Sequence, residues 1–264
     1  MKVMAASAKV DLCKAGLSRV LAVLGLAAAC APAVQAAEVH VAVAANFAAP
    51  MARIAEGFTA ATGHVVKLSS GATGKFHAQI VAGAPFDLLL AADDTTPKRL
   101  VDAGHAVAAS RFTYATGRLV LWSATPGWVD AQGEVLASGR FKHLAVANPK
   151  LAPYGRAAMQ VLRARGLADT LAPKLVTGES IAQTFQFVAS GNAELGFVAR
   201  SQVQQPGRPA AGSSWHVPES LHAPILQDAV LLKAGEHNLA AVALLAYLKS
   251  APARELMRAF GYGP

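Results

Sequence analysis

The chain alternates short, continuously apolar segments with segments whose apolar residues recur at helical spacing, and this order strongly limits its fold. Val39 to Ala44 leads into one helical pattern, and Val65 to Leu68 leads into another after a glycine-rich turn. A third apolar segment, Phe86 to Ala91, precedes a helix from about Pro97 to Ala103. Strands that alternate with helices pair in parallel through right-handed crossovers. We therefore predict an α/β fold whose ligands bind beyond the carboxyl ends of the strands.

A second α/β series begins at the apolar strand Leu119 to Ser123. The long apolar strand Ala223 to Leu232 and two terminal helices then follow, and we expect this last segment to pack with the first series. This pattern predicts two lobes, residues 37–118 with 226–264 and residues 119–225, joined by crossings near 118–120 and 222–228. The second series has predicted strands at 144–147, 175–177 and 195–199, helices at 156–165 and 181–190, and a loop at 204–214.

Residues 1–36 have the pattern of a cleaved signal peptide. A basic start precedes the apolar run Val20 to Ala31, which is shorter than the roughly 20 residues that span a bilayer, and Val34-Gln35-Ala36 supplies small residues before a cut after Ala36. An uncleaved anchor or a lipid on Cys30 are the alternatives, although Leu26 is one residue too far from Cys30 for a typical lipidation site. The sequence predicts export to the periplasm.

The formal net charge of +8 falls when the basic signal peptide is removed. The remaining basic residues are scattered and do not cluster with aromatic residues, so we expect no nucleic-acid partner. Both cysteines, Cys13 and Cys30, lie in the signal peptide, and the mature chain must rely on its hydrophobic core.

The glycine-rich turn Ser69 to Lys75 joins a strand to a helix, so it can direct backbone N–H groups and a helix dipole at an anion. It is not a nucleotide-binding P-loop, because that motif requires glycine where Ser69 stands and a hydroxyl residue where Phe76 stands.

Enzymatic motifs are missing from the sequence. Gly178-Glu179-Ser180 lacks the second glycine of a nucleophile elbow, and the histidines are scattered without metal-ligand spacing. Asp93-Asp94 favours a helix cap over a cation site. What remains is Asn46 and Thr73 at two strand ends, where Asn46 is placed to cap or begin the next helix. These residues fit either ordinary helix caps or an oxyanion site made of neutral donors, and their equivalent positions favour the site.

An ordered set of short motifs resembles the periplasmic molybdate-binding proteins of ABC importers and covers nearly all of the mature chain. The motifs are Val43-Ala44-Ala45-Asn46-Phe47, Gly71-Ala72-Thr73-Gly74-Lys75, Ala78-Gln79-Ile80, Gly83-Ala84-Pro85-Phe86-Asp87, Ala91-Ala92-Asp93, Ala147-Asn148-Pro149, Ala152-Pro153-Tyr154-Gly155, Thr177-Gly178-Glu179-Ser180-Ile181 and Gly196-Phe197-Val198.

The resemblance implies a class II periplasmic binding protein fold, with two α/β lobes, a ligand cleft and hinge crossovers. It implies contacts to molybdate from Asn46 and Thr73 in the first lobe and from Tyr154 and Ile181 in the second, the latter two mainly through backbone N–H groups. Molybdenum is then bound as its oxyanion, without direct metal ligands. Ala45, Ala72 and Ala199 stand where some relatives have a hydroxyl residue.

The expected function is extracytoplasmic binding of molybdate, and of the similarly sized tungstate, with delivery to a membrane permease. The resemblance implies a monomer without a cofactor and without enzymatic activity. The alternatives are a receptor for another tetrahedral oxyanion such as sulfate, or an exported enzyme on the same scaffold; the mapped positions offer no group that titrates near neutrality.

Overall fold

A computed structural model of the protein describes residues 36–209 and 211–263. The predicted signal peptide and Cys30 lie outside the described residues, except for Ala36. No helix in the described part of the chain is long and apolar enough to cross a membrane.

The strands and helices follow each other in the expected alternation. The strands are β1 Glu38–Ala44, β2 Val65–Gly71, β3 Leu88–Leu90, β4 Phe112–Gly117, β5 Leu119–Ser123, β6 Leu144–Ala147, β7 Leu175–Gly178, β8 Leu195–Ala199, β9 Ser213–His216 and β10 Ile225–Leu231. The helices are α1 Ala48–Thr62, α2 Thr73–Val81, α3 Thr95–Asp102, α4 Val135–Ser138, α5 Pro153–Ala164, α6 Ala168–Leu171, α7 Ile181–Ala189, α8 Arg200–Val203, α9 Leu239–Tyr247 and α10 Ala251–Ala259.

The strands form two five-stranded sheets. The first has the order β2-β1-β3-β10-β4 and the second the order β7-β6-β8-β5-β9. In the first sheet β1 pairs in parallel with β2 and β3, whereas β10 is antiparallel to β3 and β4. In the second sheet β6 pairs in parallel with β7 and β8, and β5 is antiparallel to β8 and β9. The architecture is the predicted two-lobed α/β fold.

The chain passes between the sheets at two places. Arg118 separates β4 in the first sheet from β5 in the second, and residues 217–224 lead from β9 back to β10. The terminal helices α9 and α10 pack in the core cluster of the first sheet. The predicted lobe boundaries are consistent with this distribution of strands between the two sheets, and they remain a prediction.

Apolar spacing in the sequence explains how the helices pack. In α1, Met51, Ile54 and Phe58 are buried on one face, and they share a cluster with Val41 and Val43 of β1. Ser180 caps α7, because its hydroxyl oxygen accepts a hydrogen bond from the Gln183 backbone N–H. These features confirm the helix positions predicted from the sequence.

Two local predictions need correction. Asn46 does not cap α1: it lies in a single 3-10 turn, Ala45–Phe47, and the residue at the cap position is Phe47. The Asn46 side chain instead bonds to distant residues, as described below. The strands β4 and β9 were not predicted, and β9 begins inside the expected loop 204–214.

Candidate functional site

The four residues predicted to bind the ligand line one small cavity. Asn46 and Thr73 follow strands of the first sheet, and Tyr154 and Ile181 follow strands of the second. The cavity has a volume of about 10 Å³, roughly the space of one water molecule, so in this arrangement it excludes an extended organic molecule. Its lining residues, none of them charged, are Ala44, Ala45, Asn46, Gly71, Ala72, Thr73, Ala92, Ala152, Pro153, Tyr154 and Ile181.

Three helices begin at this cavity. Thr73 is the first residue of α2, Tyr154 is the second residue of α5 after Pro153, and Ile181 is the first residue of α7. The first backbone N–H groups of a helix have no acceptor within the helix, and they carry the positive end of its dipole. Three such starts at one place create a positive potential without a charged side chain, which is the arrangement that binds anions at helix N-termini.

The Thr73 side chain adds a hydroxyl group to these amides. Its Oγ1 accepts a hydrogen bond from the backbone N–H of Ala92 at 3.0 Å, and the side chain is buried. A hydroxyl that accepts one bond can still donate its own hydrogen. The bond from Ala92 therefore orients Thr73 as a donor at the cavity wall.

Asn46 lies in a buried polar network. Its Nδ2 donates to Gln227 Oε1 and to Tyr262 Oη, both at 2.9 Å. Gln227 is fully buried, and its Nε2 donates to Tyr154 Oη at 3.0 Å. Gln227 thus connects two cavity residues, Asn46 after strand β1 of the first sheet and Tyr154 after strand β6 of the second.

Three tyrosine hydroxyls belong to this network, and burial raises the pKa of each. The pKa values of Tyr114 and Tyr154 lie well above the usual value for tyrosine, and that of Tyr262 is also raised, mainly because burial disfavours the phenolate form. All three therefore remain neutral hydroxyls at physiological pH.

Three contacts join the two halves of the cleft beside the cavity. Arg156 Nη2 on α5 donates to Asp93 Oδ2 at 2.6 Å, and the Asp93 side chain is nearly buried. Lys75 Nζ on α2 pairs with Glu179 Oε2 at 3.0 Å, which lowers the pKa of Glu179 through hydrogen bonding and charge attraction. The backbone N–H of Gly74 donates to the carbonyl oxygen of Leu151 at 2.9 Å.

Asp93 has two roles. Its Oδ1 accepts a hydrogen bond from the Thr96 backbone N–H at the start of α3, as expected for a helix-capping residue, while its Oδ2 binds Arg156. No group of three or more His, Cys, Asp or Glu residues within 36–209 and 211–263 is arranged to hold a metal ion.

Sequence reasoning missed the network partners Gln227, Tyr114, Tyr262 and Ser201. Gln227, Tyr262 and Ser201 lie 155 to 216 residues from Asn46 in the sequence, Tyr114 reaches the network through Gln227, and none of the four occurs in a recognisable motif. The adjacent polar residues Gln227 and Asp228 within a mostly apolar strand were the available signal, because buried polar side chains in such a strand require hydrogen-bond partners.

Known proteins resemble this chain in sequence and in fold. Residues 39–263 match the family model for bacterial extracellular solute-binding proteins. The chain is 59% identical over 247 residues to the molybdate-binding protein ModA of Azotobacter vinelandii, covering 94% of this chain and 98% of that protein. It is 50% identical over 249 residues to ModA of Rhodobacter capsulatus, covering 94% and 96%.

The fold also matches a solved structure, the periplasmic molybdate-binding protein of Azotobacter vinelandii. The TM-score is 0.84 at 42% identity, and the match covers 86% of this chain and 99% of the solved one. The chain therefore belongs to the bacterial extracellular solute-binding proteins, and within them to the molybdate-binding proteins.

Proposed function

We propose that this protein binds molybdate outside the cytoplasm and delivers it to the membrane permease of an ABC importer. The relatives named above are molybdate-binding proteins, and that from Azotobacter vinelandii is periplasmic. The observation that carries the proposal is the meeting of three helix starts at a small, uncharged cavity. The protein acts as a receptor and not as an enzyme.

The proposed contacts to the oxyanion follow from the donors at the cavity wall. Thr73 contributes its hydroxyl and backbone N–H, and Tyr154 and Ile181 contribute backbone N–H groups. Asn46 contributes an amide donor. Hydrogen bonds to a charged group contribute about 1.5–3 kcal/mol each, so several of them can hold a dianion without an arginine or lysine.

Tungstate is the second ligand that the same site should bind, because it has the charge, shape and nearly the size of molybdate. Sulfate has the same charge and shape but is smaller, so fewer donors would reach it at once. Discrimination against sulfate thus depends on the cavity size and not on charge.

The proposal is tested by calorimetric titration of the mature protein with molybdate, tungstate, sulfate and phosphate. We expect saturable binding of one molybdate or tungstate per chain at micromolar or lower concentrations, and no comparable binding of sulfate. Equal affinity for sulfate would indicate a general oxyanion receptor. Absence of binding to every oxyanion would refute the function and the assigned contacts together.

A further inference from the structure

The side-chain oxygen of Asn46 is buried and accepts no hydrogen bond. Among the residues that the structure describes, it is the one buried side-chain polar atom without a hydrogen-bond partner. Leaving such an atom unpaired costs about 1–3 kcal/mol. Asn46 is 3% exposed and lines the anion cavity. Both hydrogens of its Nδ2 are used by Gln227 and Tyr262, so the oxygen is the side-chain polar atom left for a ligand. An amide oxygen would repel an oxyanion.

The donors and acceptors around Gln227 are also unequally matched. Its Nε2 carries two hydrogens, and Tyr154 Oη is the one acceptor found for them among the described residues. The single hydrogen of Tyr114 Oη faces two acceptors, Ala91 O at 3.0 Å and Gln227 Oε1 at 2.9 Å.

Exchanging nitrogen and oxygen in both amides gives the Asn46 oxygen and the Gln227 nitrogen their partners without moving a heavy atom. The Tyr262 hydroxyl then donates to Asn46 Oδ1 in place of the Asn46 backbone carbonyl, which keeps the bond from Ser201 Oγ. Which end of an amide is nitrogen is decided by the hydrogen bonds it makes. After the exchange, Gln227 Nε2 donates to Asn46 Oδ1 and Tyr114 Oη, and Tyr114 donates to Ala91 O. The Tyr154 hydroxyl donates to Gln227 Oε1. The Asn46 nitrogen then replaces the unpaired oxygen, and its hydrogens are available to a ligand in the cavity.

We propose that Gln227 is a positioning residue for oxyanion binding: it holds the Asn46 amide with its NH₂ group toward the ligand and the Tyr154 side chain at the start of α5. The inference rests on the oxyanion function proposed above and adds a residue to it. Gln227 does not line the cavity, so it acts through Asn46 and Tyr154. Asn46 follows a strand of the first sheet and Tyr154 follows a strand of the second. The Gln227 side chain therefore aligns both halves of the site.

Gly117 supports this assignment independently. It is the last residue of β4, beside the crossing between the sheets. A methyl group at this position would overlap the Tyr154 hydroxyl oxygen and the Gln227 amide nitrogen. The absence of a side chain at position 117 is therefore what allows the bond between Gln227 and Tyr154 to form.

The test is a double-mutant cycle in molybdate affinity, measured by calorimetry for the wild type, Gln227→Met, Asn46→Leu and the double variant. We expect Gln227→Met to weaken molybdate binding at least tenfold. In the Asn46→Leu background, Gln227→Met should weaken binding much less, because the amide that it orients is gone. A glutamine with a merely structural role would change the melting temperature but would not show this coupling in affinity.

Gln186→Met is the matched control, since it makes the same substitution at an exposed glutamine on α7 that does not line the cavity, and we expect binding within twofold of the wild type. Should Gln227→Met not fold, Tyr154→Phe removes one bond to Gln227, and a loss of about threefold or more is expected. Wild-type affinity in Gln227→Met, or additive losses in the cycle, would overturn the inference alone. A wild-type protein that binds no oxyanion would overturn the proposed function as well.

Discussion

Thr73 combines two functions at the start of α2. Its Oγ1 accepts the Ala92 backbone N–H, and its hydroxyl hydrogen is oriented toward the cavity. Valine has the same shape without the hydroxyl, so Thr73→Val removes a donor to the proposed ligand and leaves the Ala92 N–H unpaired. We expect molybdate affinity to fall by about 1.5–3 kcal/mol, roughly a 10- to 100-fold increase in Kd.

Calorimetric titration measures this loss, with Thr62→Val as the control. Thr62 donates its hydroxyl to the Phe58 carbonyl oxygen at the end of α1, and it does not line the cavity. That variant should bind like the wild type. A loss of less than about twofold for Thr73→Val would contradict the proposed role of the hydroxyl.

The buried tyrosines make stability depend on alkaline pH. Because burial raises the pKa of Tyr262 in the folded protein, the unfolded chain loses this proton first as pH rises through about 10. The unfolded state then binds fewer protons than the folded state, so the free energy of unfolding is constant below this pH and decreases above it. Each such tyrosine adds a decrease of about 1.4 kcal/mol per pH unit until its folded pKa is reached.

Urea unfolding between pH 8 and pH 11.5 tests this dependence. Tyr262→Phe should lower stability at neutral pH, because the bonds to Asn46 and Ser201 are lost, yet its stability should decrease less steeply above pH 10. Tyr247→Phe, outside the network, is the control and should keep the wild-type slope. Equal slopes for Tyr262→Phe and the wild type would show that Tyr262 does not contribute.

Among the candidate site residues, Asn46 and Thr73 were predicted from local patterns, because each follows a predicted strand at the start of a helix, whose first N–H groups are donors. Tyr154 and Ile181 were predicted from the family resemblance. Gln227 and Tyr262 were not predictable, because their positions beside Asn46 depend on packing between segments far apart in the chain. The same distance explains the incorrect expectation that Asn46 caps α1.

At the scale of the elements, the Asp93–Arg156 ion pair joins the loop before α3 to α5 across the cleft. The Asp93 side chain is 10% exposed and that of Arg156 is 46% exposed, so one member of the pair is largely shielded from water, and removing its charge weakens the contact. Asp93→Asn keeps an acceptor for the Thr96 N–H. We expect molybdate to dissociate about fivefold or more faster, with little change in the association rate.

The Lys75–Glu179 pair joins α2 to the turn before α7. It allows the effect of a more exposed ion pair to be compared with that of Asp93–Arg156. Its side chains are 50% and 55% exposed, and solvent-exposed pairs contribute little. Glu179→Gln should therefore change the dissociation rate less than twofold. Stopped-flow measurements of tryptophan fluorescence give both rates, and equal effects of the two variants would show that burial does not decide which pair holds the cleft closed.

Most elements were predicted close to their observed bounds, because their apolar spacing is a local property. The strands β4 and β9 were missed because each lies at the edge of its sheet, where side chains need not be continuously apolar. The antiparallel pairing of β10 with β3 could not be predicted from local sequence patterns either. The position of β10 in the first sheet brings Gln227 beside Asn46, so this part of the candidate site depends on topology.

For the whole molecule, ligand binding requires that the two sheets approach each other closely. Gly74, in the first turn of α2, donates its N–H to Leu151 before α5. An added Cβ at position 74 would lie 3.0 Å from Leu151 Cα and 3.1 Å from its carbonyl oxygen, which is tighter than ordinary contact. A side chain at position 74 would therefore press against the second half of the site when the two halves meet.

Gly74→Val should hold the cleft open without destabilising either half. Valine is more favourable than glycine in a helix, and its branched side chain would collide with the Leu151 backbone only on closure. For the wild type, we expect the radius of gyration from small-angle X-ray scattering to fall when molybdate is added, as hinge closure requires. For Gly74→Val, we expect the ligand-free value to persist and the affinity to fall at least tenfold.

Ala78→Val separates closure from a general effect of valine in α2. Ala78 is exposed on the same helix, so this variant should contract with molybdate as the wild type does. Contraction of Gly74→Val to the wild-type value would contradict the requirement for glycine at the closing contact. Reduced affinity in Gly74→Val with an unchanged melting temperature of the ligand-free protein would instead place the defect in closure, because the donors on each half remain folded and only their meeting is prevented.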